Sequence, residues 1–250
     1  MPRFFVDAIT GETFCLMGEN AAHAAKSLRM RVGEELTICD QSGVDHHCRI
    51  TSVSPDEVTG VVERSVPNTA ELPCAVSLYV AVPKGDKLEQ IVQKAVELGV
   101  CDITPVLTER CVSRPDNKSM AKRIERLNKI ALEAAKQCGR GRVPTVRDMV
   151  EFKAALTRMK TAGTAMLCYE KGGERIARLV GADHNGAVAV MTGSEGGFSP
   201  DEARQAMDAG IVPVTLGARI LRAETAPLYV LSVLSHILES GLGADCAVIS

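Results

Sequence analysis

Residues 187–202 read AVAVMTGSEGGFSPDE. An apolar run, 187–192, leads into a glycine-rich turn, 193–198, and then into Ser199-Pro200-Asp201-Glu202. Ser199 is an N-cap residue, Pro200 suits a first helical turn, and Glu202 is the acid three positions on. The segment therefore predicts strand, loop and capped helix in succession. The same alternation recurs on either side. Upstream, residues 75–82, 102–107 and 164–169 read as strands. A helix starts at Asp86, with Glu89 completing a capping box. It buries Leu88, Ile91, Val92, Ala95 and Leu98, and Gly99 ends it. A long helix over 118–138 carries the apolar stripe Met120, Ile124, Leu127, Ala131, Ala134 and Cys138. Downstream, the helix capped by Ser199 ends at Gly210, and a strand follows at 212–215. The last helix, 226–239, has Glu224 or Thr225 as its cap and Pro227 in its first turn. Strands and helices that alternate in this way predict an α/β domain, a parallel sheet with helices on both faces.

The first 70 residues follow another pattern. Short runs at 3–6, 35–40, 47–53 and 58–64 read as strands, and one helix is expected over 19–30. Residues 67–73, PNTAELP, read as a linker bracketed by two prolines. The chain thus divides into a small, mostly β domain over 1–70 and an α/β domain over 74–250.

Composition narrows the function. Of 250 residues, 46% are hydrophobic and 24% charged, which excludes a disordered or fibrous chain. Aromatics are 3% and Trp is absent, so a base-stacking aromatic surface is not expected. The net charge of −2 is unevenly spread. Residues 110–147 hold eleven Lys and Arg against three acids, a net +8 that leaves −10 for the remainder. Lys118, Lys122, Arg126 and Lys129 fall on the helix face opposite the apolar stripe. A charge run is usually a solvated face, but an excess of this size favours a polyanion such as nucleic acid. The nine cysteines (15, 39, 48, 74, 101, 111, 138, 168, 246) form no C-x-x-C pair, and most read as reduced core residues. Asp7 and Glu12 stand where a signal peptide needs an apolar run, and the most apolar stretch, 226–238, is about half a bilayer span. These features lead us to expect a soluble, cytoplasmic protein without membrane attachment. The five histidines show no metal spacing, so no metal is expected.

Two loops could carry chemistry. Thr192–Ser199 lies at a strand end, where ligands bind in open α/β sheets. It lacks a phosphate-loop pattern, and Glu195 would repel phosphate, so an electropositive or neutral-headed ligand fits better; a tight turn that needs its glycines is the alternative. The second loop, LGARILRAETAP over 216–227, sets Arg219 and Arg222 in an otherwise apolar connection. Arg222 either pairs with Glu224 or a helix end, or faces a site and stabilises developing negative charge. The following helix, apolar nearly all round from Leu228 to Leu238, is either central in a large core or shared between subunits, and for a domain of this size the subunit interface is favoured.

The blocks TGSEGGFSPDE (192–202) and LGARILRAETA (216–226) resemble the two signature blocks of the ribosomal RNA small-subunit methyltransferase E family, a SPOUT-class family that methylates uridine N3. MPRFFV at the start, KGDKLEQIVQKAVELGV (84–100), Thr108-Glu109-Arg110 and Glu133-Ala134-Ala135-Lys136-Gln137 extend the likeness over nearly the whole chain. Ser194 stands where that family commonly has Pro, and Ala223 where it commonly has Thr.

The resemblance implies a PUA-like β-barrel that holds RNA over 1–70, and a methyltransferase domain with a deep C-terminal trefoil knot over 74–250. It implies a homodimer, S-adenosylmethionine as methyl donor, and small-subunit (16S) ribosomal RNA or the small ribosomal subunit as partner. The donor pocket it implies is the strand end near 167–170, the loop 192–197 and 216–221 with Thr225, and within it the donor residues are Leu167, Glu170, Thr192, Gly193, Gly197, Leu216, Gly217, Ile220, Leu221 and Thr225. Arg222 is the candidate for stabilising the uridine anion, and Glu195 is either a proton acceptor or structural. Arg3 and Arg29 on the barrel, and Arg110, Lys122, Arg126 and Arg140 in the basic segment, are the candidate RNA contacts. A non-catalytic RNA-binding or assembly factor, and a related enzyme acting on transfer RNA or a ribose hydroxyl, are the alternatives.

Overall fold

A computed structural model describes residues 1–9 and 11–240; Cys246 lies outside the described residues. The chain forms two compact units, Met1–Glu71 together with Ala135–Val143, and Leu72–Ala134 together with the chain from Pro144 onward.

The first unit contains strands β1 (Arg3–Phe5), β2 (Thr13–Met17), β3 (Glu35–Cys39), β4 (Val44–Val53) and β5 (Glu57–Pro67). They form one five-stranded sheet in the order β1-β3-β4-β5-β2. Only the β1–β3 pair is parallel. Inward residues of the strands (Phe4, Phe14, Leu16, Leu36, Ile38, Ile50 and Val58) make the core. Each such side chain removed from water stabilises the unit by about 1.5–3 kcal/mol. The helix expected over 19–30 is shorter. An α-helical turn, α1 (Gly18–Ala22), passes into a π-helical turn (His23–Ser27) and stops, because Arg29 takes a left-handed φ of 54° that turns Met30 back into the core. Strand β2 was not expected.

The second unit has strands β6 (Val76–Ala81), β7 (Asp102–Leu107), β8 (Thr145–Val146), β9 (Val150–Glu151), β10 (Thr164–Cys168), β11 (Val188–Thr192) and β12 (Val212–Val214). Its helices are α2 (Lys87–Glu97), α3 (Asn117–Gln137), α4 (Phe152–Met159), α5 (Ile176–Leu179), α6 (Pro200–Asp208) and α7 (Thr225–Glu239). All strand pairs are parallel, in the order β12-β10-β11-β6-β7-β8, with β9 also on β7. This is the parallel sheet expected from the alternation. Strand β12 pairs with β10, and its other edge is bridged by Glu174, which follows β10 in the chain.

Two local expectations are corrected. Asp86 is the N-cap of α2 but makes no side-chain capping bond, and Glu89 instead receives hydrogen bonds from Arg123 on α3. Glu224 precedes α7 without a side-chain cap bond, because its carboxylate pairs with Lys87. On helix α7, Pro227, Val230, Leu231, Leu234 and Leu238 are buried within the same subunit, where α7 packs on α2 and α5, while Tyr229, Val233 and Ile237 keep the outer face partly apolar. By contrast, the capping box of α6 is complete, with Ser199 accepting from Glu202 N–H and Glu202 accepting from Ser199 N–H. Among the described residues no helix is long and apolar enough to cross a membrane, and no group of His, Cys, Asp or Glu could hold a metal ion.

Candidate active site

Three neighbouring strands, β12, β10 and β11, end side by side, and the loops leaving their carboxyl ends enclose a pocket of about 290 Å³. Cys168, Tyr169 and Glu170 line it from the end of β10, residues 193–198 from the loop after β11, and residues 215–221 with Ala223 and Ala226 from the connection to α7. That place follows from topology, since parallel strands gather their following loops at one edge.

Gly193, Gly196, Gly197 and Gly217 bring backbone into the wall. Gly197 has a φ of 62°, and a Cβ there would stand 3.3 Å from both carboxylate oxygens of Glu170. Glycine therefore allows the left-handed turn and leaves room for Glu170 beside it. Arg110 Nη1 donates to Gly196 O at 3.1 Å and Ser194 Oγ to Arg110 O at 3.4 Å, so this loop is braced from the β7 side. Burial pushes the Cys168 thiol up to about 12, which keeps it protonated and unfit as a nucleophile.

Of the expected donor residues, Glu170, Gly193, Gly197, Leu216, Gly217, Ile220 and Leu221 line this pocket. Leu167 and Thr192 do not reach it: both are fully buried as strand residues, and Thr192 Oγ1 lacks a hydrogen-bond partner. Thr225 begins α7 outside the lining. The lining also includes Cys168, Tyr169, Ser194, Gly196, Phe198, Thr215, Ala218, Arg219, Ala223 and Ala226. Cys168, Tyr169, Ser194, Gly196, Ala218 and Arg219 fall inside the stretches 167–170, 192–197 and 216–221 expected for the pocket, whereas Phe198, Thr215, Ala223 and Ala226 fall outside them.

Glu195 lines the pocket but is engaged at its carboxylate. Lys87 Nζ lies 2.9 Å from Oε1, and Lys84 N–H donates to the same oxygen at 3.2 Å. Partial burial would raise its pKa, yet these donors hold it below the usual carboxylate range. A carboxylate so stabilised is a weak base, which argues for the structural of its two expected roles. Arg222 is exposed, lies between the lining residues Leu221 and Ala223, and has no ion-pair partner among the described residues. Its expected pairing with Glu224 does not occur, because Glu224 takes Lys87 at 3.0 Å.

The expected RNA-contact residues separate into two groups. Arg3 is 13% exposed at its side chain and pairs with Asp45 at 2.7 Å; Arg140 is 3% exposed and pairs with Glu71. Both are committed to the interior of the first unit, so neither offers its charge to a phosphate. Arg126 pairs with Glu89. Lys122, Arg110 and Arg29 are exposed, as are Lys118 and Lys129 on the same face of α3.

Comparison with known proteins identifies the architecture. Residues 70–235 match the RNA methyltransferase domain model and residues 16–63 the RNA methyltransferase PUA domain model. The chain is 35% identical to ribosomal RNA small subunit methyltransferase E of Bacillus subtilis, over 96% of this chain and 98% of that protein. It superposes on the crystal structure of the Neisseria gonorrhoeae ribosomal RNA small subunit methyltransferase E bound to S-adenosyl methionine with a TM-score of 0.84 at 33% identity, covering 94% and 97% of the two chains. A Legionella pneumophila structure in complex with the same cofactor gives 0.83 at 31% identity, covering 94% and 96%. With both domain models matched in order and relatives aligned along almost their full length, the chain belongs to the ribosomal RNA small-subunit methyltransferase E family.

Proposed function

We propose that this chain transfers a methyl group from S-adenosylmethionine to N3 of a specific uridine in small-subunit ribosomal RNA, in the cytoplasm. The observation that carries the reading is the pocket at the ends of β12, β10 and β11, in a chain whose family includes a structure bound to that donor. The lining fits such a ligand: it offers glycine backbone, apolar side chains and the Glu170 carboxylate, which has no ion-pair partner among the described residues. That set suits a cationic ligand without phosphate. When bound, S-adenosylmethionine supplies an electrophilic methyl carried on a sulfonium.

The chain's own part is to bind, orient and stabilise. Gly193, Gly197, Leu216, Gly217, Ile220 and Leu221 with Glu170 hold the donor. Uridine N3 is a poor nucleophile until its proton leaves, so the site gains most by favouring the imide anion and aligning it with the methyl. Arg222, which forms no salt bridge among the described residues and acts on Glu224 only at longer range, stands next to the pocket lining to stabilise that anion or its oxygens. Glu195 shapes the wall. N3 is hidden in a base pair, so the target is unpaired or flipped out. Lys118, Lys122 and Lys129 on α3 and Arg110 supply phosphate contacts, and the PUA-like domain over 1–70, with Arg29, holds RNA for the methyltransferase domain over 74–250.

Two further features belong to the proposal. A trefoil knot in the C-terminal domain is supported by the placement of β12 between β10 and Glu174: Tyr169 N–H donates to Val214 O, Glu174 N–H to Pro213 O, and Thr215 N–H to Glu174 O. A Cβ on Gly173 would stand 2.3 Å from Pro213 O, so glycine is needed for that close passage. A homodimer is supported by the outer face of α7, where Tyr229, Val233 and Ile237, spaced four apart, stay partly exposed, and by Ile220, 79% exposed. The function is tested by supplying methyl-labelled donor with isolated ribosomal RNAs. Label entering small-subunit RNA is expected; label entering large-subunit or transfer RNA instead would overturn the assignment.

A further inference from the structure

Two of the three walls of the pocket are the loop after β11 and the connection to α7, and one side chain outside the pocket reaches a carboxylate in each. Lys87, the first residue of α2, is not among the lining residues. Its Nζ stands 2.9 Å from Glu195 Oε1 and 3.0 Å from Glu224 Oε2. Glu195 belongs to the loop after β11, whereas Glu224 lies between the lining residues Ala223 and Ala226 before α7. The first contact is a hydrogen-bonded ion pair; the second is an ion pair by distance, without hydrogen-bond alignment at Oε2.

The two loops differ in how else they are held. The Glu195 loop is also braced by Arg110 and by Lys84 N–H. In the other wall, Gly217 N–H donates to Thr215 Oγ1, and the next tie is the start of α7, where Thr225 and Ala226 N–H donate to Arg222 O. The stretch between them carries Ala218, Arg219, Ile220 and Leu221, all lining the pocket. Glu224, just past this stretch, is where an external anchor would have most effect. The three side chains are 30%, 29% and 26% exposed, so solvent weakens the pairs without abolishing them. Without the ammonium, two carboxylates would face each other across the gap it fills, and like charges at that range repel.

We propose that Lys87 is a positioning residue for methyl transfer: a single ammonium that draws the Glu195 and Glu224 loops together and so sets the separation of those two walls of the donor pocket. This rests on reading the pocket as the donor site. Lys87 acts through those two carboxylates and does not touch the reacting atoms.

The test uses the full-length protein with Lys87→Met, Lys87→Arg and the double variant Lys87→Met with Glu195→Gln. S-adenosylmethionine affinity is measured by calorimetry, and backbone amide exchange is measured on ligand-free protein. Lys87→Met should weaken donor affinity roughly five- to tenfold, the scale of one partly screened charge-assisted contact. Exchange should speed up in 193–198 and 216–224 together, with α3 and the first unit unchanged. Lys87→Arg should restore both. Adding Glu195→Gln to Lys87→Met should recover part of the affinity, because one of the opposed charges is gone; a residue that only filled space would gain nothing from that change. Donor affinity within twofold of wild type in Lys87→Met, or unchanged exchange in either loop, overturns the proposal. Failure of the wild-type protein to bind the donor would instead overturn the donor reading of the pocket, while the ligand-free exchange would still decide whether Lys87 clamps the loops.

Discussion

Gly197 allows the donor pocket to be separated from general stability. Its φ of 62° is left-handed, and a residue with a Cβ pays about 1–2 kcal/mol to adopt it. The added Cβ would also stand 3.3 Å from both Glu170 oxygens, closer than ordinary contact, so the carboxylate or the loop must move. Gly210, at the end of α6, has a comparable φ of 81° but nothing within 4 Å of its Cβ position. Gly197→Ala and Gly210→Ala therefore share the backbone cost and differ in what they meet. Both should lose about 1–2 kcal/mol, which lowers the melting temperature by roughly 2–8 °C for a chain of this size. Only Gly197→Ala should lose donor affinity, by about tenfold if the displaced wall forfeits some 1.4 kcal/mol. Thermal unfolding and calorimetric titration with S-adenosylmethionine, run well below both melting temperatures, give the two numbers. If folded Gly197→Ala binds the donor as tightly as Gly210→Ala, the pocket is wrongly placed.

Three other outcomes follow from the same structure. Arg222→Ala should bind donor and RNA nearly as well as wild type and lose about a hundredfold or more in single-turnover rate, the usual scale for one preorganised electrostatic contact; an unchanged rate would remove Arg222 from the chemistry. Lys122→Ala with Lys129→Ala should flatten the plot of log RNA affinity against log salt by about 0.7 for each phosphate that is no longer neutralised, leaving donor affinity alone; a wild-type slope would make the α3 face merely solvated. Asp45 is partly buried, which would raise its pKa, but hydrogen bonds from Arg3 and Asn68 hold it below its ordinary value. Its contribution is thus fully present above about pH 4 and fades as pH falls through the lowered folded value. Asp45→Asn should cost roughly 1–3 kcal/mol at neutral pH and less in acid, measured by denaturant unfolding at both; a cost independent of pH would contradict this.

The parallel sheet was legible because its strands are continuous apolar runs bounded by glycine, proline and capping residues, as in 187–202. Strand β2 was not, because Thr13–Met17 is only five residues long and alternates exposed and buried positions without strong turn chemistry. Helix α4 hid in a similar way: Phe152, Ala155, Leu156 and Met159 keep helical spacing, but over two turns only. Within the site, the two signature loops located the pocket, yet sequence does not say which residue of a strand end faces the ligand. Thr192 shows why: it adjoins Gly193 in the chain but sits wholly inside the sheet. Charge counting met the same limit. Arg140 and Lys122 look alike in a run of cations, and only the fold shows that one is 3% exposed beside Glu71 while the other faces solvent. The Lys87 bridge joins residues more than a hundred positions apart, beyond the reach of any local pattern.

The most direct test of the central claim is the identity of the methylated nucleoside. Purified protein is incubated with S-adenosylmethionine and small-subunit ribosomal RNA or small subunits, and the RNA is digested and its nucleosides separated by chromatography with mass detection. New 3-methyluridine is expected, arising at one position and lost with Arg222→Ala. Methyl groups on a ribose or another base, or none transferred by protein that binds the donor, would contradict that claim.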